Sequence, residues 1–331
     1  MPTRIGIIGA ETLLGKELAQ VFAEAKEMPW GAARLHLLAA APSAVAAGEH
    51  RLAALADEAA LLDPLKDEAL ADLDLILLAS AHAEARSLAA AAPARGAAIV
   101  LDVAAPPGAE PLAAVLRVPH PAARALAAVL VALAPLGEFA ATALVLEPAS
   151  ERGMAALNEL QSQSLQLLSL GSIPTETFGG QIAYNVKAEL PEEIHPSLAE
   201  IQGALAADLR GLAIAPGGAA RFPLPAVRLL QAPLFHAHVI ALAARFAAAC
   251  EPAAVARALR AAPLRYLGDP PEQPDVLSVA GESEIHVGAL QPDPLDARSL
   301  WLQIAFDNLR VRALTALRLA AAAWEHRHAA A

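Results

Sequence analysis

The sequence predicts an α/β protein in two parts, a parallel doubly wound sheet followed by an α+β region, and three observations carry that expectation. A β-branched run ending in glycine leads directly into a helix-spaced apolar run at the start of the chain. Buried-strand runs then alternate with helical ones, and after about Glu138 the pattern changes to longer helices separated by strand-like alternation. At 331 residues the chain is long enough for two domains and for a core that needs no disulfide or metal staples.

Arg4 to Ile8 is the first strand, closed by Gly9, and Leu14, Leu18, Val21 and Phe22 recur at helical spacing within Leu13 to Ala25. Leu35 to Leu38 is a second strand, Leu73 to Leu78 a buried one, Ala83 to Ala92 a helix, and Ala98 to Leu101 another buried strand ending at Asp102. Strands and helices of this length in alternation make a parallel sheet with helices on both faces. Further on, Ser150 to Leu168 and Pro191 to Leu209 read as helices. Val227 to Leu230, Glu284 to Val287 and Leu300 to Phe306 read as strands, and Asn308 to Trp324 as a closing Ala-rich helix. Pro and Gly mark loops at Pro216 to Gly218 and Gly268 to Pro274.

Composition removes several classes of function. Lys plus Arg number 24 against 35 Asp plus Glu, and a net charge of −11 repels phosphate backbones and anionic lipid, so neither nucleic acid nor a membrane surface is an expected partner. The single cysteine, Cys250, excludes an internal disulfide and a Cys-based zinc site and fits a reducing cytoplasm. Much of the 56% hydrophobic fraction is alanine. The uncharged run between Arg124 and Glu138 contains Pro135 and falls short of the roughly 20 residues a spanning helix needs. The N-terminal run carries Glu11, Lys16 and Glu17 and has no signal-peptide layout. A soluble cytoplasmic protein is expected.

Three stretches carry chemistry. In GIIGAETLLG, Gly6 to Gly15, a strand, a glycine turn and a helix N-terminus form the layout that receives a pyrophosphate. Only Gly9 and Gly15 hold useful positions: Thr12 replaces a middle glycine, and Glu11 adds a carboxylate near the phosphate oxygens. The turn reads either as a pyrophosphate-binding turn or as a βα turn of a dinucleotide-type fold that grips nucleotide weakly or not at all. In PLFHAHVIALAARF, Pro233 to Phe246, His236 and His238 flank Ala237. They read as satisfied core residues, as acid–base groups, or as a metal-binding pair on one strand face. No third ligand cluster stands out, so no metal is expected. The third stretch, RVPHPAARAL from Arg117 to Leu126, lies where an α/β enzyme often mounts its nucleophile, yet it holds no Ser, Thr, Cys, Asp, Glu or Lys.

Near the C-terminus, SEIHVGALQPDPLDARSLWLQIAFDNLRVRALTALRLAA, Ser283 to Ala322, sets out a valine-glycine strand, an Asp-Pro turn, a tryptophan strand and an Asp-Asn-Leu-Arg helix start. Taken with GIIGAETLLGKEL, AAIVLD and QIAYNV (Gln181 to Val186), this order resembles the aspartate-semialdehyde dehydrogenase family over nearly the whole chain, and the resemblance implies that QIAYNV is a strand. The resemblance implies a Rossmann-like NAD(P)-binding domain over 1–137, completed by a C-terminal helix 308–331. It also implies an α+β dimerisation and substrate domain of semialdehyde dehydrogenase type over 138–307, and a homodimer joined through it. The implied reaction is reductive dephosphorylation of an acyl phosphate by NADPH through a cysteine thioester. That chemistry needs a thiol, a base and cations for carboxylate and phosphate.

Residue by residue, the resemblance keeps little of that machinery. In the simplest register Pro121 occupies the nucleophile position, and a shifted register puts Arg124 there. His238 fits the general-base histidine, with Pro233 and Phe235 in the expected places before it. Gln231 stands at the substrate-carboxylate arginine position and lacks its charged fork. Gly108 stands for the phosphate-binding arginine, Pro196 lies near its lysine partner, and Glu147 replaces the catalytic glutamine with a carboxylate that repels an anionic substrate. Ala41 and Pro42 stand for the pair that grips a 2′-phosphate. Cys250 follows His238 with no turn signal between, roughly 40 Å away if extended or roughly 18 Å if helical. A cysteine-less paralogue is implied: a non-catalytic homodimer with a protein or small-molecule partner and weak affinity for NADP or NAD. Two alternatives stay open, an NAD(P)-dependent oxidoreductase acting on an aldehyde or semialdehyde through His238, and a true aspartate-semialdehyde dehydrogenase.

Overall fold

A computed structural model describes residues 2–25, 27–40, 51–55, 58–95, 99–214, 218–268 and 272–329. Ala41 and Pro42, Ala98 at the head of the expected third buried strand, and parts of the loops expected at 216–218 and 268–274 lie outside the described residues. The chain forms two compact units, Met1–Val118 with Arg312–Ala331, and Pro119–Val311. The helix after His120 therefore falls in the second unit, whereas the domain expected from the resemblance runs to residue 137.

In the first unit the elements are β1 (Thr3–Ile8), α1 (Leu13–Glu24), β2 (Ala33–Leu38), β3 (Arg51–Leu55), β4 (Glu58–Leu62), α2 (Asp67–Leu70), β5 (Leu75–Leu78), α3 (Ala83–Ala91), β6 (Ile99–Asp102) and β7 (Leu116–Arg117). Five strands form a wholly parallel sheet in the order β2-β1-β5-β6-β7. Every residue of β5 (LILL) and β6 (IVLD) is buried, because inner strands of a parallel sheet are covered on both faces and read as continuous apolar runs. β3 and β4 pair as an antiparallel hairpin that hydrophobic periodicity did not announce. Trp30 stacks on Phe22 and meets Trp324 of the C-terminal helix edge-on.

The second unit contains α4 (Pro121–Leu133), β8 (Phe139–Glu147), α5 (Met154–Leu168), α6 (Leu198–Ala213), β9 (Ala226–Gln231), β10 (His238–Phe246), α7 (Pro252–Ala261), β11 (Arg265–Leu267), β12 (His286–Pro292) and β13 (Ser299–Phe306), followed by the start of α8 (Asn308–Ala329). Its mixed sheet runs β11-β12-β13-β10-β8-β9, with the central pairs antiparallel. β8 and β10 alternate buried and less buried residues along their whole length, as a sheet covered on one face must. On the core face Leu229, Val145, Ile240 and Ile304 stand side by side across four strands, with Ala143, Leu242 and Leu302 in the neighbouring row. α4, α6 and α7 supply the apolar side chains that close over these rows.

Three expectations in this unit are corrected. The helix expected from Ser150 begins at Met154, because Gly153 at φ 82° ends a separate 3-10 turn over Ala149–Arg152. The helix expected from Pro191 begins at Leu198, where Ser197 and Glu200 form a capping box just after Pro196. QIAYNV is not a strand: Asn185 N–H bonds the Ile182 carbonyl, Tyr184 has φ 58°, and the segment meets the sheet only at a Lys187–Gln231 bridge. Its backbone is held by α5. Gln163 accepts from the Ile182 and Ala183 N–H groups and donates to the Pro174 and Gly180 carbonyls, while Glu159 accepts from Thr177 and Phe178.

Candidate functional site

One more row follows at the end of the core face, and it is polar. Gln231 pairs with Glu147 across β9 and β8, and His238 pairs with Phe306 across β10 and β13, one step beyond the Leu146–Val239 pair. Glu147 lies two residues past Val145 and His238 two before Ile240, so strand alternation drives both into the core. Gln231, Glu147 and His238 are all at or near zero exposure. The His238 ring stacks on Phe306 at 5.2 Å.

His120, at the N-cap of α4, completes the group. Its backbone N–H donates to Asp208 of α6 at 2.7 Å and its Nδ1 accepts from the Ala122 N–H at 3.2 Å, which aims Nε2 at the end of the sheet. His120 Nε2 lies 3.9 Å, and His238 Nε2 3.8 Å, from the same oxygen, Oε2 of Glu147. The two rings meet edge-on at 5.5 Å. Oε2 of Glu147 and both ring nitrogens of His238 are buried without a hydrogen-bond partner. Each such group is costly to leave unpaired, so the cluster has unused bonding capacity.

A cation stands beside it. Arg152, on the 3-10 turn, donates from Nε to Oε1 of Gln231 at 3.1 Å, and Gln231 in turn donates to the Glu147 carbonyl at 2.9 Å. Burial lowers the Arg152 pKa and the nearby Glu147 carboxylate opposes that shift, while Nη2 of Arg152 is buried without a partner. Asn308 anchors the approach to β10: its Oδ1 accepts from the Ala237 N–H and the Ser150 hydroxyl, and its Nδ2 donates to Glu151. Ala237 is held at φ 69°, and this turns the exposed His236 away from the buried His238. The expectation that no third ligand accompanies the two histidines is corrected here. His236 does not pair with His238, but His120 and Glu147 do, their ligating atoms lying within 4.8 Å of one another.

The other positions singled out in the sequence are dispersed. Pro121 is buried at the first turn of α4, directly after His120. Arg124 lies one turn further on. Pro196 precedes the α6 cap, and Gly108 is exposed at φ 73° in the loop after β6. Cys250 lies beyond the far end of β10, a nine-residue strand away from His238. At roughly 3.3 Å per residue no side chain spans that gap. Its thiol pKa is raised, mainly by burial.

The glycine turn lies in the first unit. Gly9 has φ 85°, and a side chain at Gly15 would overlap the Gly9 carbonyl oxygen, so both glycines are required for the close approach of α1 to β1. Thr12 caps α1: its hydroxyl accepts from the Gly15 N–H at 2.9 Å and donates to the Gly9 carbonyl at 2.8 Å. Glu11 turns toward the end of β2 and accepts from the Ala40 N–H at 2.8 Å. One donor at this helix end, the Gly15 N–H, is thus already committed to the protein's own Thr12 side chain.

Sequence reasoning reached His238, Glu147 and Gln231 but not His120, Arg152 or Asn308. For His120 the signal was present in a polar residue followed by proline at a helix start. Nothing local marked Arg152.

A parallel-sheet unit with a glycine turn, accompanied by a mixed-sheet unit whose helices cover one face, defines a two-unit α/β protein. Residues 133–311 match the semialdehyde dehydrogenase, dimerisation domain family, and the chain belongs to that family. It is 28% identical over 339 residues to the USG-1 protein homolog of Azotobacter vinelandii, covering 96% of each chain. The fold is shared with a probable aspartate-semialdehyde dehydrogenase from Pseudomonas aeruginosa (TM-score 0.79, 22% identity, 99% of both chains). It is shared too with aspartate semialdehyde dehydrogenase II from Vibrio cholerae (0.76, 17%, 96% of this chain and 98% of that one). The structure of the Candida albicans enzyme with NADP aligns at 0.61 with 14% identity, over 98% of this chain and 99% of that one. Among the described residues no helix is long and apolar enough to cross a membrane.

Proposed function

We propose that this chain is a non-catalytic, homodimeric paralogue within the semialdehyde dehydrogenase family, acting in the cytoplasm by binding a protein or small molecule. One observation carries the reading: His120 and Pro121 occupy the head of α4, where the family resemblance calls for a cysteine, and the only thiol of the chain lies past the opposite end of β10. Glu147 at the glutamine position and Gln231 at the arginine position supply respectively a charge that repels an anionic substrate and an amide that cannot clamp one. The Thr12 cap and the Glu11–Ala40 bond support weak affinity for NADP or NAD.

The alternative is an NAD(P)-dependent oxidoreductase acting on an aldehyde or semialdehyde without a thiol. It is favoured by the buried Arg152 near Glu147, itself facing His238, and by the NADP named for the Candida albicans protein. Calorimetric titration with NADPH and NADH, followed by an assay with aspartate semialdehyde and phosphate, separates the two. Neither tight binding nor phosphate-dependent turnover is expected, since loss of a covalent nucleophile costs about six orders of magnitude in rate. Turnover abolished by Cys250→Ser would overturn the proposal, and micromolar NADPH binding without phosphate-dependent turnover would favour the alternative.

A further inference from the structure

We propose that His120, Glu147 and His238 form a binding site for a divalent transition-metal ion of the zinc class. The inference does not depend on whether the chain turns over a semialdehyde. Two imidazoles and a carboxylate, arriving from the α4 cap, the end of β8 and the start of β10, present ligand atoms within 4.8 Å of one another. Three protein ligands of this kind, two histidines and a glutamate, make an open site that leaves a position for an exogenous ligand. Nitrogen-rich donors select zinc-like ions over Mg²⁺ and Ca²⁺, which take oxygen ligands.

The case for a ligand rests on what is left unpaired. Oε2 of Glu147 and both ring nitrogens of His238 are buried with no partner, at the end of a sheet face that is otherwise apolar. The separations of 3.8 and 3.9 Å are too long for hydrogen bonds, so the three groups face one another without bonding directly. An ion with bonds of about 2.0–2.2 Å draws the three atoms together by less than about 1 Å.

The His120 cap explains why they stand apart. With Nδ1 accepting from Ala122, the neutral ring carries its proton on Nε2 and shows Glu147 an N–H. Ligation at Nε2 moves that proton to Nδ1 and breaks the bond to Ala122, so metal uptake shifts the ring off its cap. His120 keeps most of the slight exposure of the cluster, 8% of its side chain against 1% or less for the other two, and marks the side from which an ion enters. With Arg152 nearby and both histidines neutral, the loaded site is net positive and takes an anion, hydroxide or a carboxylate, as its remaining ligand.

The full-length protein, stripped with a chelator, is titrated with Co²⁺ and Zn²⁺ and separately with Mg²⁺. One Co²⁺ per chain is expected, with visible ligand-field bands of a four- or five-coordinate nitrogen and oxygen site, displaced by Zn²⁺ and untouched by Mg²⁺. Glu147→Gln and His120→Ala should each weaken Co²⁺ binding at least about tenfold. His236→Ala, which alters an exposed neighbour outside the cluster, should leave it unchanged. Circular dichroism establishes that each variant is folded. Should the Glu147 variant not fold, His120→Ala, at a helix cap, decides alone. Failure of the unaltered protein to take up Co²⁺ stoichiometrically would overturn the assignment. So would uptake that survives both cluster variants but is lost on replacing His326 and His328.

Discussion

Single residues decide more here than their number suggests, and two of them make direct predictions. Gly15 lets α1 lie against the Gly9 turn, and a methyl group there meets a backbone oxygen that cannot move aside. Gly15→Ala should therefore destabilise the protein by about 2–3 kcal/mol in urea unfolding, at the upper end of overpacking costs; an unchanged midpoint would show that the turn relaxes. His286 on β12 is buried with both ring nitrogens unpartnered. Burial, followed by the Arg265 charge, lowers its pKa against the opposing effects of Glu282, Glu284 and Asp275. Between that depressed value and about 6.5 the unfolded chain binds more protons than the folded one, so stability rises with pH and is lost on acidification. The melting temperature should drop more between about pH 7.5 and 5.5 for the native chain than for His286→Leu; equal drops would assign the slope to other groups. Neither burial could be read from local sequence. His286 in SEIHV looks no different from the exposed His236 in LFHAH until the neighbouring strands are in place.

At the scale of elements, α5 shows how a helix can organise a loop. Gln163 and Glu159 lie one turn apart on its buried face, and their side chains take up six backbone groups of residues 174–183. This replaces the sheet pairing that QIAYNV was expected to make: its N–H groups find acceptors in a glutamine side chain instead of a strand. Gln163→Leu keeps the volume but orphans the Ile182 and Ala183 N–H groups and two carbonyls. It should cost about 2–4 kcal/mol by denaturant titration, several times what a solvent-exposed hydrogen bond returns. A loss below about 0.5 kcal/mol would mean that water replaces the amide. Helix starts show the same interplay of local signal and context. The apolar periodicity before Leu198 extended to Pro191, but the Ser197–Glu200 box sets the true start. Local capping chemistry was legible there and outweighed periodicity.

For the whole molecule, the open face of the mixed sheet is the feature that remains to be covered. Thr142, Ala243 and Trp301 form one row on it and Leu144, Ala241 and Gln303 the next. Leu144 and Trp301 are 37% and 39% exposed although they lie in the middle of the sheet. The matched family is defined by a dimerisation domain that includes all three of these strands, and an apolar sheet face of this kind favours association across a two-fold axis. Light scattering at low micromolar concentration should give twice the 34.1 kDa chain mass. Leu144→Glu and Trp301→Glu should shift it toward the single-chain value while the circular dichroism spectrum is kept. A mass of one chain for the unaltered protein, constant with concentration, would overturn the dimer.

Hydrophobic patterning along the chain is enough to specify the two-part α/β organisation, the parallel sheet and the phase of most of its strands, because alternation and apolar runs record which face of each element leaves water. It also exposed the absence of a thiol near His238, since a single cysteine can be placed by counting residues. Folding alone brings Gln231, Glu147 and His238 into the last row of one face, lets His120 reach them from a helix cap, and has Arg152 held by the amide standing at the expected arginine position. The reason is register: periodicity within a strand is a local property, but which residues of different strands stand abreast is set by pairings 80 and more residues apart, such as Glu147 with Gln231. A buried cluster assembled that way leaves no contiguous motif to read.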